Sequence, residues 1–155
     1  MGLHYLGQQL WFTPDAAPTA RFVETTVAGE AARVAIDAVL PELRKDLGLD
    51  KVTVRWFRPE TVERKAYRET NGRTPWHTFK GDDGLRGQCL GSAPEEIWVR
   101  ADLSALDAAE TLGHELKHSK HFNDYISGAA ELPDAADGEA AALAYGHSVR
   151  QALLD

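Results

Sequence analysis

Apolar residues recur at the spacing of one helix face between about residues 29 and 47. Proline removes a backbone donor and clashes with the preceding turn, so Pro41 should kink or split this helix. Gly48 is suited to end it. The residues that define the apolar face are Ala32, Ile36, Val39, Leu40, Leu43 and Leu47.

Alternating apolar and polar residues follow at residues 51–57, where β-branched and aromatic side chains favour a strand with one buried face. Two shorter strands are predicted at residues 85–90 and 96–100, joined by a turn at residues 91–94. We expect these strands to form a small, mainly antiparallel sheet. A weaker extended signal covers residues 6–12, to which the sequence assigns no role.

The connection between the first and second of these strands, residues 58–83, is polar and broken by prolines and glycines. A short helix is predicted within it at residues 60–67. The aromatic cluster at residues 76–79 is expected to fold back onto the body of the protein. A connection of this length usually has a task, such as forming a lid or the rim of a site.

A second helix is predicted to begin at Asp102 or Ser104 and to end near residue 122, because Ser104 with Asp107 resembles a capping box. One face is apolar and packs into the core, while the opposite face carries two histidines toward a cleft. Gly113 allows close backbone approach beside the first histidine. The apolar face consists of Ala105, Ala109, Leu112 and Leu116.

A loop is predicted at residues 123–133, followed by a final helix from Asp134 or Asp137 almost to the C-terminus. The alanine-rich sequence at residues 140–144 lets this helix lie tightly against another one. The predicted fold is therefore α+β. A small sheet packs on the second helix, the C-terminal helix packs beside it, and residues 1–155 form a single domain.

Bulk composition is that of an ordinary soluble globular protein, with 155 residues, 43% of them hydrophobic and 26% charged. A formal net charge of -7 argues against nucleic acid as a partner, although basic residues outnumber acidic ones between residues 51 and 86. Cys89 is the single cysteine, and we expect it to be buried in a reducing compartment. Neither a secretory leader pattern nor a run of about 18 apolar residues occurs, which favours a cytoplasmic location away from membranes.

The strongest chemical signal is the pattern H-E-x-x-H at residues 114–118. On a helix, positions i and i+4 lie nearly one above the other, so His114 and His118 can bind one metal ion from a single face. Glu115 is turned about 100° away and can act beside that ion without binding it. The pattern therefore predicts two metal ligands and a base.

Two histidines leave a catalytic zinc site incomplete, because such sites use three protein ligands and keep the fourth position open. Glu139 is favoured as the third ligand, since it follows His118 by 21 residues at the start of a helix that can dock alongside. Asp124 and His121 remain alternatives. For His121, however, three ligands on one helix would fit a tetrahedral ion poorly.

The order of these features resembles the compact gluzincin metallopeptidases, most closely the ImmA/IrrE-like group. The resemblance rests on Ile-Trp-Val-Arg at residues 97–100, Thr-Leu-Gly-His-Glu-Leu-Lys-His at 111–118 and Glu-Ala-Ala-Ala-Leu-Ala-Tyr-Gly at 139–146. It covers about residues 95–150. Lys117 replaces the small residue common before the second histidine, and the first half of the chain departs from the family pattern. The resemblance therefore does not indicate which substrate this protein would act on.

The resemblance implies a zinc-dependent peptidase of zincin-like fold that acts on protein or peptide, with Zn2+ held by His114, His118 and Glu139. Glu115 would take the proton of the attacking water and pass it to the leaving amine. The strand at residues 96–100 would line the cleft and pair with an extended substrate through its free edge.

Stabilising the oxyanion of such a reaction needs a further donor. His147 and Tyr145 are the catalytic candidates, with Tyr125 and His121 as alternatives, and His147 is favoured because it lies eight residues past Glu139. Two other functions also stay open. One is a zinc-binding interaction module without catalysis, and the other is a nucleic-acid-associated protein that uses the basic segment at residues 51–86.

Overall fold

The structure is a computed structural model that describes residues 20–25, 28–65, 76–79 and 86–155. Within these residues, five strands and three helices form an α+β fold. The extended signal predicted at residues 6–12 lies outside them. In chain order the elements are β1 (Ala20–Thr25), α1 (Glu30–Leu47), β2 (Thr53–Lys65), β3 (Trp76–Phe79), β4 (Gly87–Leu90), β5 (Ala93–Arg100), α2 (Ala105–Ser127) and α3 (Ala135–Leu154).

The sheet is mixed, and β2 lies at its centre. β2 pairs antiparallel with β1 and β3 and parallel with β5, and β5 pairs antiparallel with β4. Residues 60–65, predicted to be helical, are extended instead. Val62 is in register with Phe22 on β1 and with Phe79 on β3, so backbone partners on both sides outweigh the local helix preference. Residues 76–79 are expected from the sequence to fold back onto the protein, and they do so as strand β3, which pairs with β2.

β5 is an interior strand, so the prediction of a free edge at residues 96–100 is wrong. Val99, for example, is paired with Gly87 on one side and with Trp56 on the other. One edge of β5 is hydrogen-bonded to β4 in a hairpin, and the other edge is hydrogen-bonded to β2 in a long-range parallel pairing. Of the described strands, β4 is therefore the last at this end of the sheet. The turn between β4 and β5 occupies residues 91–92 and is shorter than predicted.

Helix α1 continues through its proline, so the predicted split at Pro41 is wrong. Proline leaves the carbonyl of Asp37 without its intrahelical donor. Both residues are exposed, and water can satisfy that carbonyl. Gly48 ends the helix in the left-handed conformation, with φ at 65°, as predicted.

Helix α2 lies at the centre of the protein, where α1, β4, β5 and α3 all contact it. Ser104 caps its start by accepting a hydrogen bond from the Asp107 backbone N–H at 3.2 Å, which confirms the predicted N-terminus. The helix extends to Ser127, so the loop predicted from residue 123 is partly wrong. Gly128, in the left-handed conformation, provides the stop.

Helix α3 begins where the sequence predicts. The Asp134 side chain accepts a hydrogen bond from the Asp137 backbone N–H at 2.8 Å and so caps the first turn. α2 is the only element in the described ranges against which α3 makes extensive contact. None of the helices in these ranges is both long enough and apolar enough to cross a membrane.

Cys89 is fully buried beneath α2, as predicted, and its thiol donates to the Pro94 carbonyl oxygen at 3.6 Å. Burial raises the pKa of this thiol, and the charge of Glu115 raises it further. We expect a disulfide reagent that reports by absorbance to leave Cys89 unmodified in the native protein, and to react only as fast as the chain opens. In denaturant one thiol per chain should react at once. Rapid reaction of the native protein would contradict this burial.

Candidate metal centre

Helices α2 and α3 bring together the three metal ligands favoured from the sequence. His114 and His118 lie one turn apart on α2, and Glu139 lies near the start of α3. Glu139 Oε2 is 3.4 Å from His114 Nε2, and Glu139 Oε1 is 3.1 Å from His118 Nε2. One ligand atom from each residue lies within 4.8 Å of the other two, so the group could hold a metal ion.

The spacing and chemistry of this group fit a tetrahedral metal site. Ligands lie about 2.0–2.2 Å from a zinc ion, which separates neighbouring ligand atoms by about 3.3–3.6 Å in a tetrahedron. The separations of Glu139 Oε2 from His114 Nε2 and of Glu139 Oε1 from His118 Nε2, 3.4 and 3.1 Å, are close to that range, and one ligand atom from each of the three residues lies within 4.8 Å of the other two. His118 is buried while Glu139 is partly exposed, so the group can be reached from solvent.

Electrostatics keep the carboxylate of this group ionised. Hydrogen bonds with His114 and His118 hold the pKa of Glu139 well below its usual range, against the opposing effect of burial. Burial lowers the pKa of His114, but the hydrogen bond with Glu139 and the nearby acidic charges outweigh it, so the net shift is upward. The ionised Glu139 supplies the negative charge that a divalent cation favours.

Glu115 is buried beside the three ligands. Its side chain is 8% exposed, and its Oε2 lies 3.9 Å from His114 Nε2. Within the described part of the chain, Oε1 has no hydrogen-bond partner. Burial raises the pKa of this carboxyl, although the charges of His114 and His118 lower it in part. A buried carboxylate oxygen without a partner costs free energy, and such a group beside possible metal ligands is a candidate for a chemical role.

Gly87 brings the backbone of β4 directly against Glu115, a contact that the sequence reasoning missed. A Cβ at this position would lie 2.5 Å from Thr111 Cγ2, 2.9 Å from the Trp98 carbonyl oxygen and 3.1 Å from Glu115 Cγ. No side chain fits there unless the backbone moves. A glycine within a predicted strand is a recognised sign of close backbone approach and could have indicated this contact.

Two glycines form the point of closest approach between α2 and α3. A Cβ on Gly146 would lie 2.8 Å from the Glu110 carbonyl oxygen, and a Cβ on Gly113 would lie 2.8 Å from Val149 Cγ2. The predicted role of Gly113 in close helix approach is therefore confirmed. This close contact lets the carboxylate of Glu139 reach histidines on the neighbouring helix.

Tyr145 and His147, the two candidates for oxyanion stabilisation, make contacts outside the metal group. The Tyr145 hydroxyl donates to Asp46 Oδ2 on α1 at 2.7 Å. His147 Nε2 lies 3.1 Å from Glu110 Oε2 and its side chain is 68% exposed. Neither residue is brought against the three ligands, and their catalytic roles remain predictions.

The alternative third ligands also lie apart from the group of three. Lys120 Nζ donates to Asp124 Oδ1 at 3.1 Å, so that carboxylate has a cation one turn away on its own helix. His121 is half-buried, and burial followed by the charge of Lys117 lowers its pKa. Tyr125, the remaining oxyanion candidate, is exposed near the end of α2.

No protein-family model, curated protein or solved structure matches this chain. The likeness to gluzincin metallopeptidases therefore remains a prediction from the sequence motifs. The geometry of the chain's own residues combines three side chains that could hold a metal ion, a buried carboxylate beside them and a strand backbone packed against the side chain that carries this carboxylate.

Proposed function

We propose that this protein is a zinc-dependent peptidase of zincin-like architecture. The observation that carries the proposal is the buried Glu115 carboxylate, one oxygen of which has no hydrogen-bond partner among the described residues, beside the convergent group of His114, His118 and Glu139. A site for metal storage or structural support has no use for a desolvated base next to its ligands. A hydrolytic site does, because a water molecule must lose a proton as it attacks.

Zinc is the metal that best suits the donor set and the proposed chemistry. Two imidazole nitrogens and one carboxylate oxygen provide three protein ligands, the number typical of catalytic zinc sites. When bound there, zinc would lower the pKa of water and polarise a substrate carbonyl. The same donor types also occur around non-haem iron, so metal content is part of the test.

Glu115 supplies the proton transfer in this proposal. Its carboxylate accepts a proton from the attacking water and later donates it to the leaving amine. Burial raises the pKa of Glu115, which makes its carboxylate a stronger proton acceptor than an exposed one. Among the described residues, none donates a hydrogen bond to its Oε1.

We further propose that β4 binds the substrate backbone. Among the described strands, none pairs with the outer edge of β4. An extended peptide can add to that edge through main-chain hydrogen bonds. Gly87 brings this edge into contact with Glu115, so a peptide bond lying along β4 would pass close to the base. This corrects the sequence-based expectation, which assigned the same task to residues 96–100.

The test is metal-dependent cleavage of unfolded protein. The purified protein is stripped with a chelator, and casein or a proteome-derived peptide mixture is followed by labelling of newly formed amino termini. We expect cleavage to cease on chelation and to return with one equivalent of zinc, measured by elemental analysis. Zinc bound at one per chain without new termini would instead support the non-catalytic binding module. Cleavage that is indifferent to metal would contradict the proposal.

A further inference from the structure

Helix α3 is held on α2 at two separated places. At one, Glu139 meets the histidine pair. At the other, Arg150 Nη1 donates to Asp107 Oδ1 at 2.7 Å and to Glu110 Oε1 at 3.1 Å. Arg150 therefore bridges two acidic side chains that lie one turn apart on α2, ahead of the metal ligands.

Apolar packing alone does little to fix the orientation of α3. The side chains that it buries fully are small, and none is larger than valine, while Tyr145 is partly buried against the core. Small side chains interdigitate poorly, so they allow two helices to approach without defining one crossing angle. Directional contacts then help to fix how α3 lies, namely those of Glu139 and Arg150 with α2 and the hydrogen bond from Tyr145 to Asp46 on α1. The buried residues of α3 are Gly138, Ala142, Gly146 and Val149.

A rotation of α3 about its contact with α2 at Gly113 and Gly146 would move the side chains that lie far from this contact. Glu139 precedes Gly146 by seven residues, which is about 10 Å of helix. A rotation of α3 by about 5° around this contact would displace Glu139 by about 0.9 Å. Functional sites tolerate errors of only about 0.5 Å in the positions of their groups. Whatever prevents that rotation therefore determines whether Glu139 reaches the metal.

We propose that Arg150 is a positioning residue for the metal centre. It fixes α3 against the first turns of α2 through Asp107 and Glu110, and thereby holds Glu139 at the histidine pair. Glu110 makes two contacts with α3, because its second carboxylate oxygen lies 3.1 Å from His147 Nε2. This inference rests on the metal-binding role proposed for His114, His118 and Glu139.

Arg150→Met tests it, because methionine keeps much of the apolar stem and removes both ion pairs. The matched control is Arg86→Met. Arg86 Nη1 also lies 3.4 Å from Asp107 Oδ1, but Arg86 is not on α3. Zinc affinity of the full-length protein is measured by competition with a chelating dye. We expect Arg150→Met to weaken zinc binding by about 2- to 30-fold, because each of the two partly exposed ion pairs makes only a modest contribution. Arg86→Met should leave it unchanged.

Cobalt substitution separates positioning from general stability. The visible absorption of bound Co2+ depends on ligand geometry, so Arg150→Met should change this spectrum while far-ultraviolet circular dichroism stays that of a folded protein. If Arg150→Met does not fold, Glu110→Gln is used instead, since it keeps the shape of the side chain and removes one acceptor. Unchanged zinc affinity and cobalt spectrum in a folded variant would overturn the inference. Absence of zinc binding by the unmodified protein would instead overturn the proposed function.

Discussion

Replacing Glu115 with glutamine is expected to lower kcat/KM for peptide cleavage by about 100- to 10,000-fold, the usual contribution of a general base. Glutamine has nearly the same shape as glutamate and fits the same buried space, but it cannot accept the proton of the attacking water. That loss corresponds to about 2.7–5.4 kcal/mol of transition-state stabilisation. Steady-state cleavage of a quenched fluorescent peptide, selected from sequences that the unmodified protein cuts, measures the effect.

Zinc content is the control for the Glu115→Gln variant. Because Glu115 lies beside the three ligands and is not one of them, the variant should still bind one zinc per chain with little change in affinity. Full cleavage activity with zinc retained would exclude Glu115 as the base. Loss of zinc together with activity would mean that Glu115 belongs to the ligand set, and the roles argued above would have to be reassigned.

Replacing Glu139 with alanine is expected to abolish stoichiometric zinc binding at micromolar protein concentration. Loss of a supporting contact around a metal already costs about 10- to 100-fold in affinity, so loss of a direct ligand should cost more. Alanine also removes the carboxylate that lies against both histidines at 3.1 and 3.4 Å. Elemental analysis after gel filtration measures retained zinc, and calorimetric titration gives the residual affinity.

Asp124→Ala and His121→Ala are the matched controls, because both residues were alternative ligands on sequence grounds. Neither belongs to the convergent group, so each variant should retain one zinc per chain. If Glu139→Ala keeps its zinc while one of these controls loses it, the ligand assignment is wrong. If all three variants keep zinc, the metal binds elsewhere in the chain.

The parts of the site that could be predicted are those that depend on local geometry. His114 and His118 share a helix face because of the helical period, whatever surrounds them. The caps at Ser104 and Asp134 depend only on residues within the same turn. Glu139 is a less local prediction, and its place beside the two histidines follows from the close packing of an alanine-rich helix on α2, while its role as a ligand stays a prediction.

The parts that could not be predicted depend on contacts between distant segments. Nothing near residues 60–65 indicates that strands on both sides would keep them extended. The parallel pairing of β2 with β5 is equally distant, so the edge of the sheet was assigned to the wrong strand.

His147 was favoured for its helical phase relative to Glu139. Eight residues of helix, however, separate the two by about 12 Å along the axis. The imidazole of His147 lies beside the Glu110 carboxylate instead, and the Tyr145 hydroxyl donates a hydrogen bond to Asp46. Helical phase alone therefore selected residues that face neighbouring helices rather than the ligands.

The metal group lies entirely within two consecutive helices, and this bears on how the chain reaches its fold. His118 and Glu139 are 21 residues apart, whereas Arg55 and Glu96, which join β2 to β5, are 41 apart. Contacts between nearby residues form faster than contacts across a long loop. Under the proposed function, a helical hairpin could therefore bind zinc while the strands are still unpaired. The supply of metal would then influence how quickly new chains reach the folded state.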